Sequence, residues 1–71
     1  MDDPLTVQQR ADLLSRLFAL ITARLEDAAT LAVECQGRQP IDALREKADE
    51  LDSVIEEAAT LSRAGLVLLR R

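Results

Sequence analysis

The stretch Gln36-Gly37-Arg38-Gln39-Pro40 decides the fold, because it is where a chain of helix-forming residues is interrupted. Gly37 suits the left-handed position that often follows a helix, and Pro40 suits the first turn of the next helix. We therefore expect a helix over about residues 5–35, a loop at 36–39 and a second helix over about 40–69. The whole chain, residues 1–71, is then a single helical-hairpin domain.

Composition on both sides of this break favours helix. The chain holds 13 Leu and 11 Ala but only two Gly and two Pro, which are too few for the turns of a β-rich fold. The start of the first helix has two candidate caps, Asp3 before Pro4 and Thr6 with Gln9 three residues later. The fold class predicted from the sequence is all-α, an antiparallel two-helix hairpin.

A heptad pattern predicts how the helices pack. In the first helix the d positions are Val7, Leu14, Ile21, Ala28 and Cys35, and the a positions are Ala11, Phe18, Leu25 and Ala32. In the second helix the a positions are Ile41, Ala48, Ile55, Ser62 and Leu69, and the d positions are Leu44, Leu51, Ala58 and Gly65. This pattern is typical of a coiled coil, so we expect the a and d rows to form the contact between the helices. A short loop places Phe18 opposite Ala58 and Ile21 opposite Ile55 in this arrangement.

The heptad pattern leaves further apolar residues outside that contact. They lie at the c and g positions, and we expect them to form one flank that is used as a protein interface. The predicted interface residues are Leu13, Leu17, Leu20, Arg24, Leu31, Val54, Leu61 and Leu68. A small chain without disulfides or metal needs additional burial, so we expect two hairpins to pair as a homodimeric four-helix bundle. The alternative is that the flank receives an amphipathic helix of a different protein.

The residue types present in the chain exclude most general-base catalysis and any metal site built on histidine. The chain has no His, Trp or Tyr, and its three serines therefore lack the base that would activate a nucleophile. We expect no catalytic residue, no metal site and no bound cofactor. The single cysteine, Cys35, is expected to be a small buried group, with a disulfide between two chains as the alternative.

Charge and hydropathy limit the kinds of partner and the cellular location that we expect for this protein. The net charge is −4, which disfavours binding to nucleic acid. A regulator of nucleic acid remains an alternative if Arg63, Arg70 and Arg71 of paired chains form a basic patch, and a structural assembly subunit is a third possibility. No stretch has the length of a membrane span, and the acidic start Met1-Asp2-Asp3 is unlike a signal peptide, so we expect a cytoplasmic protein.

The layout resembles two known families of helical hairpins. It is similar to the Rop hairpins that control plasmid copy number, which dimerise and bind RNA through basic residues, whereas the corresponding positions here are predominantly acidic. The segments 39–44 and 48–52 (QPIDAL and ADELD) resemble the second helix of the small co-chaperones of type III secretion. That resemblance implies a chaperone-like protein that holds a partner helix. The function expected from the sequence is thus a non-catalytic adaptor or chaperone-like interaction module.

Overall fold

Two long helices make up the part of the chain that the structure describes. A computed structural model describes residues 6–70, in which α1 spans Val7–Glu34 and α2 spans Ile41–Leu69. The helices lie side by side and antiparallel, in a rod with extents of 57 × 16 × 12 Å. The prediction of an all-α two-helix hairpin is confirmed. The candidate cap Asp3 and the predicted helix start at residue 5 lie outside the described residues.

The start of α1 is fixed by a reciprocal pair of hydrogen bonds. The backbone N–H of Gln9 donates to Thr6 Oγ1 at 3.0 Å, and the backbone N–H of Thr6 donates to Gln9 Oε1 at 2.9 Å. This capping box satisfies two backbone donors that have no partner within the helix. Of the two candidate caps, the structure therefore shows Thr6 with Gln9 in place.

The connection between the helices does not use a left-handed glycine. Gly37 has no positive φ, so the prediction of a left-handed residue after α1 is wrong. Instead, Cys35 ends α1 in a right-handed conformation, and the side-chain amide of Gln39 donates to the backbone carbonyl of Glu34. A side chain thus caps a carbonyl at the end of α1, which removes the need for a glycine-based cap. Pro40 is the N-cap residue immediately before α2, with φ of −56°, and not part of its first turn as predicted.

The contact between the helices uses a different face from the predicted one. The seam, as we call this contact, consists of the buried or half-buried residues Arg10, Leu14, Leu17, Ile21, Arg24, Ala28, Leu31 and Cys35 of α1 and Leu44, Lys47, Leu51, Val54, Ala58, Leu61, Gly65 and Leu68 of α2. These are the predicted d and g rows apart from Val7, whose prediction as a contact residue is wrong because it is 86% exposed at the start of α1. The predicted a row lies beside the seam, since Phe18, Leu25 and Ile55 are 49, 55 and 49% exposed. The prediction that the a row lies inside the contact is therefore wrong.

Small residues and long basic side chains explain the choice of face. Ala28, Ala58 and Gly65 are buried in the seam, and at Gly65 the missing side chain leaves room for Leu17 of the other helix. Arg24 and Lys47 also belong to the seam, because their aliphatic stems cover apolar surface while their charged groups reach carboxylates. A heptad pattern counts Arg24 and Lys47 as polar, so the g rows look less suitable for burial in the contact than they are.

The register also differs from the predicted one. A Cβ atom on Gly65 would lie 3.3 Å from Leu17 Cδ2 and 3.8 Å from Phe18 Cε1. Phe18 thus lies next to Gly65 and not opposite Ala58, a shift of nearly one heptad. The ion pair between Arg24 and Glu57 fits the same register. The reason is steric, because Gly65 has no side chain and Leu17 and Phe18 fit against it.

We predict that a branched side chain at Gly65 destabilises the hairpin. Gly65→Ile should lower the free energy of unfolding by about 1–3 kcal/mol, because the added atoms meet Leu17 and force the helices apart. Thr60→Ile is the matched control, since Thr60 is exposed on the same helix, and it should change stability by less than about 0.5 kcal/mol. Urea denaturation followed by circular dichroism measures both. Equal stability of the two variants would contradict the close approach at Gly65.

Candidate protein-interaction surface

One flank of the hairpin presents large apolar side chains to solvent. We call it the apolar flank and define it by Phe18 and Leu25 of α1 and by Ile41, Ile55 and Leu69 of α2. Their exposed fractions are 49, 55, 68, 49 and 59%. The smaller residues Ala11, Ala32, Ala48 and Ser62 lie between them at the same heptad position. The flank is therefore a continuous stripe and not a set of isolated apolar residues.

Geometry places both rows of this stripe on the same side of the rod. The stripe consists of the a row of α1 and the a row of α2, and each a row lies next to the d row of its own helix. In an antiparallel pair, equivalent heptad positions of the two helices lie on the same side of the contact, so the two a rows are neighbours. The proximity of Phe18 to Gly65 is consistent with this placement, because an α1 residue of the flank approaches α2 there. The flank thus runs along most of the hairpin.

The area of the apolar flank is large for such a small protein. A large apolar side chain that is half exposed offers on the order of 100 Å², so five of them give roughly 500 Å² per hairpin. A surface of that size lies in the range of the largest apolar patches on soluble monomers, which are often functional. Two such flanks in contact would bury about 1,000 Å², which is near the lower limit for a specific interface.

The opposite flank is polar next to the loop. Arg24 Nη1 lies 3.3 Å from Glu57 Oε2, and Lys47 Nζ lies 3.6 Å from Glu34 Oε1. Asp27 and Glu50 line the same shallow groove. Both ion pairs join α1 to α2 on this side, so charged groups cover the seam here. Next to the loop the two sides of the hairpin therefore differ in kind, one apolar and one ionic, whereas at the other end of the rod the second side carries the exposed Leu13 and Leu20.

The predicted interface residues are divided by the structure between the seam and the surface. Leu31 is buried, and Leu17, Arg24, Val54, Leu61 and Leu68 are half-buried in the seam. Leu13 and Leu20 are 41 and 51% exposed, at the end of the rod away from the loop. The role of this set as an interface to another protein stays a prediction.

Sequence reasoning did not select the apolar flank as an interface, although the signal was present. The flank is the predicted a row, which was assigned to the contact between the two helices. In a two-helix hairpin a single seam cannot enclose the a, d and g rows together. The sequence has three apolar rows, and one seam encloses only two of them. The third row was therefore the signal for an exposed apolar flank.

Within residues 6–70, no group of three or more His, Cys, Asp or Glu side chains is arranged to hold a metal ion. Cys35 is half-buried at the end of α1 next to the loop. Neither α1 nor α2 is long and apolar enough to cross a membrane.

Comparison with protein-family models, with curated proteins and with solved structures finds no match to this chain. The resemblance to the Rop hairpins and to the type III secretion co-chaperones stays an expectation from the sequence.

We predict that the ion pair on the polar flank contributes little to stability. Arg24 and Glu57 have side chains that are 36 and 56% exposed, so solvent screens their attraction. Glu57→Gln should cost less than about 1 kcal/mol of unfolding free energy. Arg24→Ala should cost more than Arg24→Met, because Met keeps the apolar stem in the seam. Urea denaturation of the three variants checks this order, and equal losses for Met and Ala would show that the charge alone matters.

Proposed function

We propose that this protein is a non-catalytic protein-interaction module of the adaptor or chaperone-like kind that acts through its apolar flank. The observation that carries the proposal is the continuous exposure of Phe18, Leu25, Ile41, Ile55 and Leu69 along one side of the hairpin. An apolar stripe on a pair of helices fits the apolar face of another helix, as in helix-in-groove recognition.

The partner favoured by this surface is a second copy of the chain. Each hairpin offers the same stripe, so two copies related by a twofold axis would cover both stripes at once. The product would be a homodimeric four-helix bundle in which the a and d rows together form the core. The heptad pattern supports this, since every a and d residue of α1 is apolar although the seam, formed by the d and g rows, leaves the a row uncovered.

The hairpin alone lacks an enclosed core, which also supports self-association. Within residues 6–70, the buried hydrophobic residues are Ala28, Leu31 and Ala58, and no side chain is less than 2% exposed. A domain is normally stabilised by two packed layers around one core, and the hairpin supplies a single layer. A second hairpin on the apolar flank would supply the other.

The same flank would serve a different protein by exchange. An amphipathic helix with apolar residues at heptad spacing could replace one hairpin of the bundle and contact the same side chains. We place this activity in the cytoplasm, where the lone Cys35 would remain a thiol.

We predict that charge on the apolar flank abolishes self-association. Wild-type protein should have twice the 7.8 kDa chain mass in solution. The double variant Leu25→Glu and Ile55→Glu should have the mass of one chain, because a dimer would bury the new carboxylates without partners. Light scattering over a dilution series with refractive-index detection measures both masses.

The matched control for this experiment is the double variant Val33→Glu and Val67→Glu. These two residues are 64 and 51% exposed but lie outside the apolar flank, so the dimer should persist. Circular dichroism verifies that all variants remain helical. A wild-type monomer at every concentration would contradict the proposal, as would a dimer that is unaffected by charge at Leu25 and Ile55.

A further inference from the structure

Charge is segregated along the length of the hairpin. The cross-helix contacts of Arg24 with Glu57 and of Gly65 with Leu17 place Ala23 and Ala59 at about the same level. We use this level to divide the rod into a loop half, residues 23–59, and an open half, residues 7–22 and 60–70. The loop half has a net charge of −6 and the open half a net charge of +3.

The residues behind these values are distributed over both helices. The loop half holds the ten acids Glu26, Asp27, Glu34, Asp42, Glu46, Asp49, Glu50, Asp52, Glu56 and Glu57 and the four bases Arg24, Arg38, Arg45 and Lys47. The open half holds the bases Arg10, Arg16, Arg63 and Arg70 and one acid, Asp12. The hairpin is thus electrically polar along its long axis.

The same segregation is found beside the apolar flank. On α2, the acids Asp52 and Glu56 and one base, Arg45, are exposed next to the stripe in the loop half, and Arg63 and Arg70 are exposed there in the open half. By heptad position these residues are within one or two places of the a row of α2 on the helix surface. A chain that covers the apolar flank along α2 therefore meets mainly acidic groups near the loop and basic groups at the other end, whereas Asp12 and Glu26, the charged residues next to the stripe on α1, are both acidic.

Two orientations of a second copy would cover the flank. The two loops can lie at the same end of the bundle or at opposite ends, and in both cases each helix can be antiparallel to its neighbours. The backbone dipoles therefore do not distinguish between the orientations. With loops at the same end, the acidic halves lie against each other. With loops at opposite ends, each acidic half lies along the basic half of the partner.

We propose that the occupant of the apolar flank is a second copy of this chain with its loop at the opposite end of the bundle. This inference rests on the proposed function, and it adds the relative orientation of the two hairpins. Apolar burial supplies the attraction in either orientation, and charge complementarity selects between them. The preference for one orientation comes from electrostatic interactions between exposed groups, so this preference weakens as salt is added.

A distance measurement tests the orientation directly. The variant Cys35→Ala with Gly37→Cys carries one spin label in the loop, where a Cβ atom has no neighbour closer than 3.9 Å and φ is not positive. Loops at opposite ends place the two labels about 40 Å apart, since α1 has 28 residues and rises 1.5 Å per residue. Loops at the same end place them within about 20 Å, which is two helix diameters.

A label in the middle of the rod is the control. Cys35→Ala with Thr60→Cys places a label near the dividing level, where both orientations give a separation below about 30 Å, the width of a bundle with its labels. A long distance at position 37 with a shorter one at position 60 supports the proposal. Short distances at both positions overturn the orientation and leave the dimer intact. Absence of an intermolecular distance at both positions overturns the dimer, and the inference with it.

Charge reversal provides a second test, whose sign depends on the orientation. Arg16→Glu with Arg63→Glu makes the open half acidic, and Arg38→Glu with Arg45→Glu makes the loop half more acidic. Both variants have the same net charge, so a difference between them reports where the charge lies. With loops at opposite ends, the first variant should have a dimer dissociation constant at least about 10-fold higher than the second at low salt. An equal or lower dissociation constant for the first variant overturns the proposal.

Discussion

A pair of helices has a single line of contact, and everything else in this structure depends on that constraint. The seam covers one side of each helix, whereas the sequence supplies apolar residues for a wider arc. Ala28, Ala58 and Gly65 are buried in the seam, and at Gly65 the missing side chain leaves room for Leu17. The bulky Phe18 and Ile55 are left beside the seam. The exposed stripe is thus a consequence of how the hairpin closes.

The division between an apolar and an ionic flank follows from the same closure. On the ionic side, Arg24 and Lys47 extend from the seam to Glu57 and Glu34, which places charge over the contact. On the other side, alanines and Ser62 separate the large residues, and no such cover exists within the described part of the chain. Next to the loop, the apolar flank therefore differs from the ionic side in presenting large apolar side chains to solvent.

Local signals in the sequence predict the two helices and the loop between them. They do not predict which faces of the helices are in contact or in which register. The helix break before Pro40 and the capping box of Thr6 with Gln9 were visible, because each depends on residues close in sequence. The seam was assigned to the wrong face because basic residues at seam positions count as polar in a heptad pattern. The register was wrong because it depends on how Leu17 and Phe18 fit against Gly65, a contact between distant parts of the chain.

The extended shape of the hairpin determines how its association changes its motion in solution. A rod of 57 × 16 × 12 Å has more translational friction than a sphere of equal mass. Pairing along the long side would double the mass and the cross-section while leaving the length almost unchanged. Friction would therefore rise much less than twofold, whereas stacking end to end would double the length and raise friction more steeply. Mass together with diffusion can thus distinguish an assembly that grows thicker from one that grows longer.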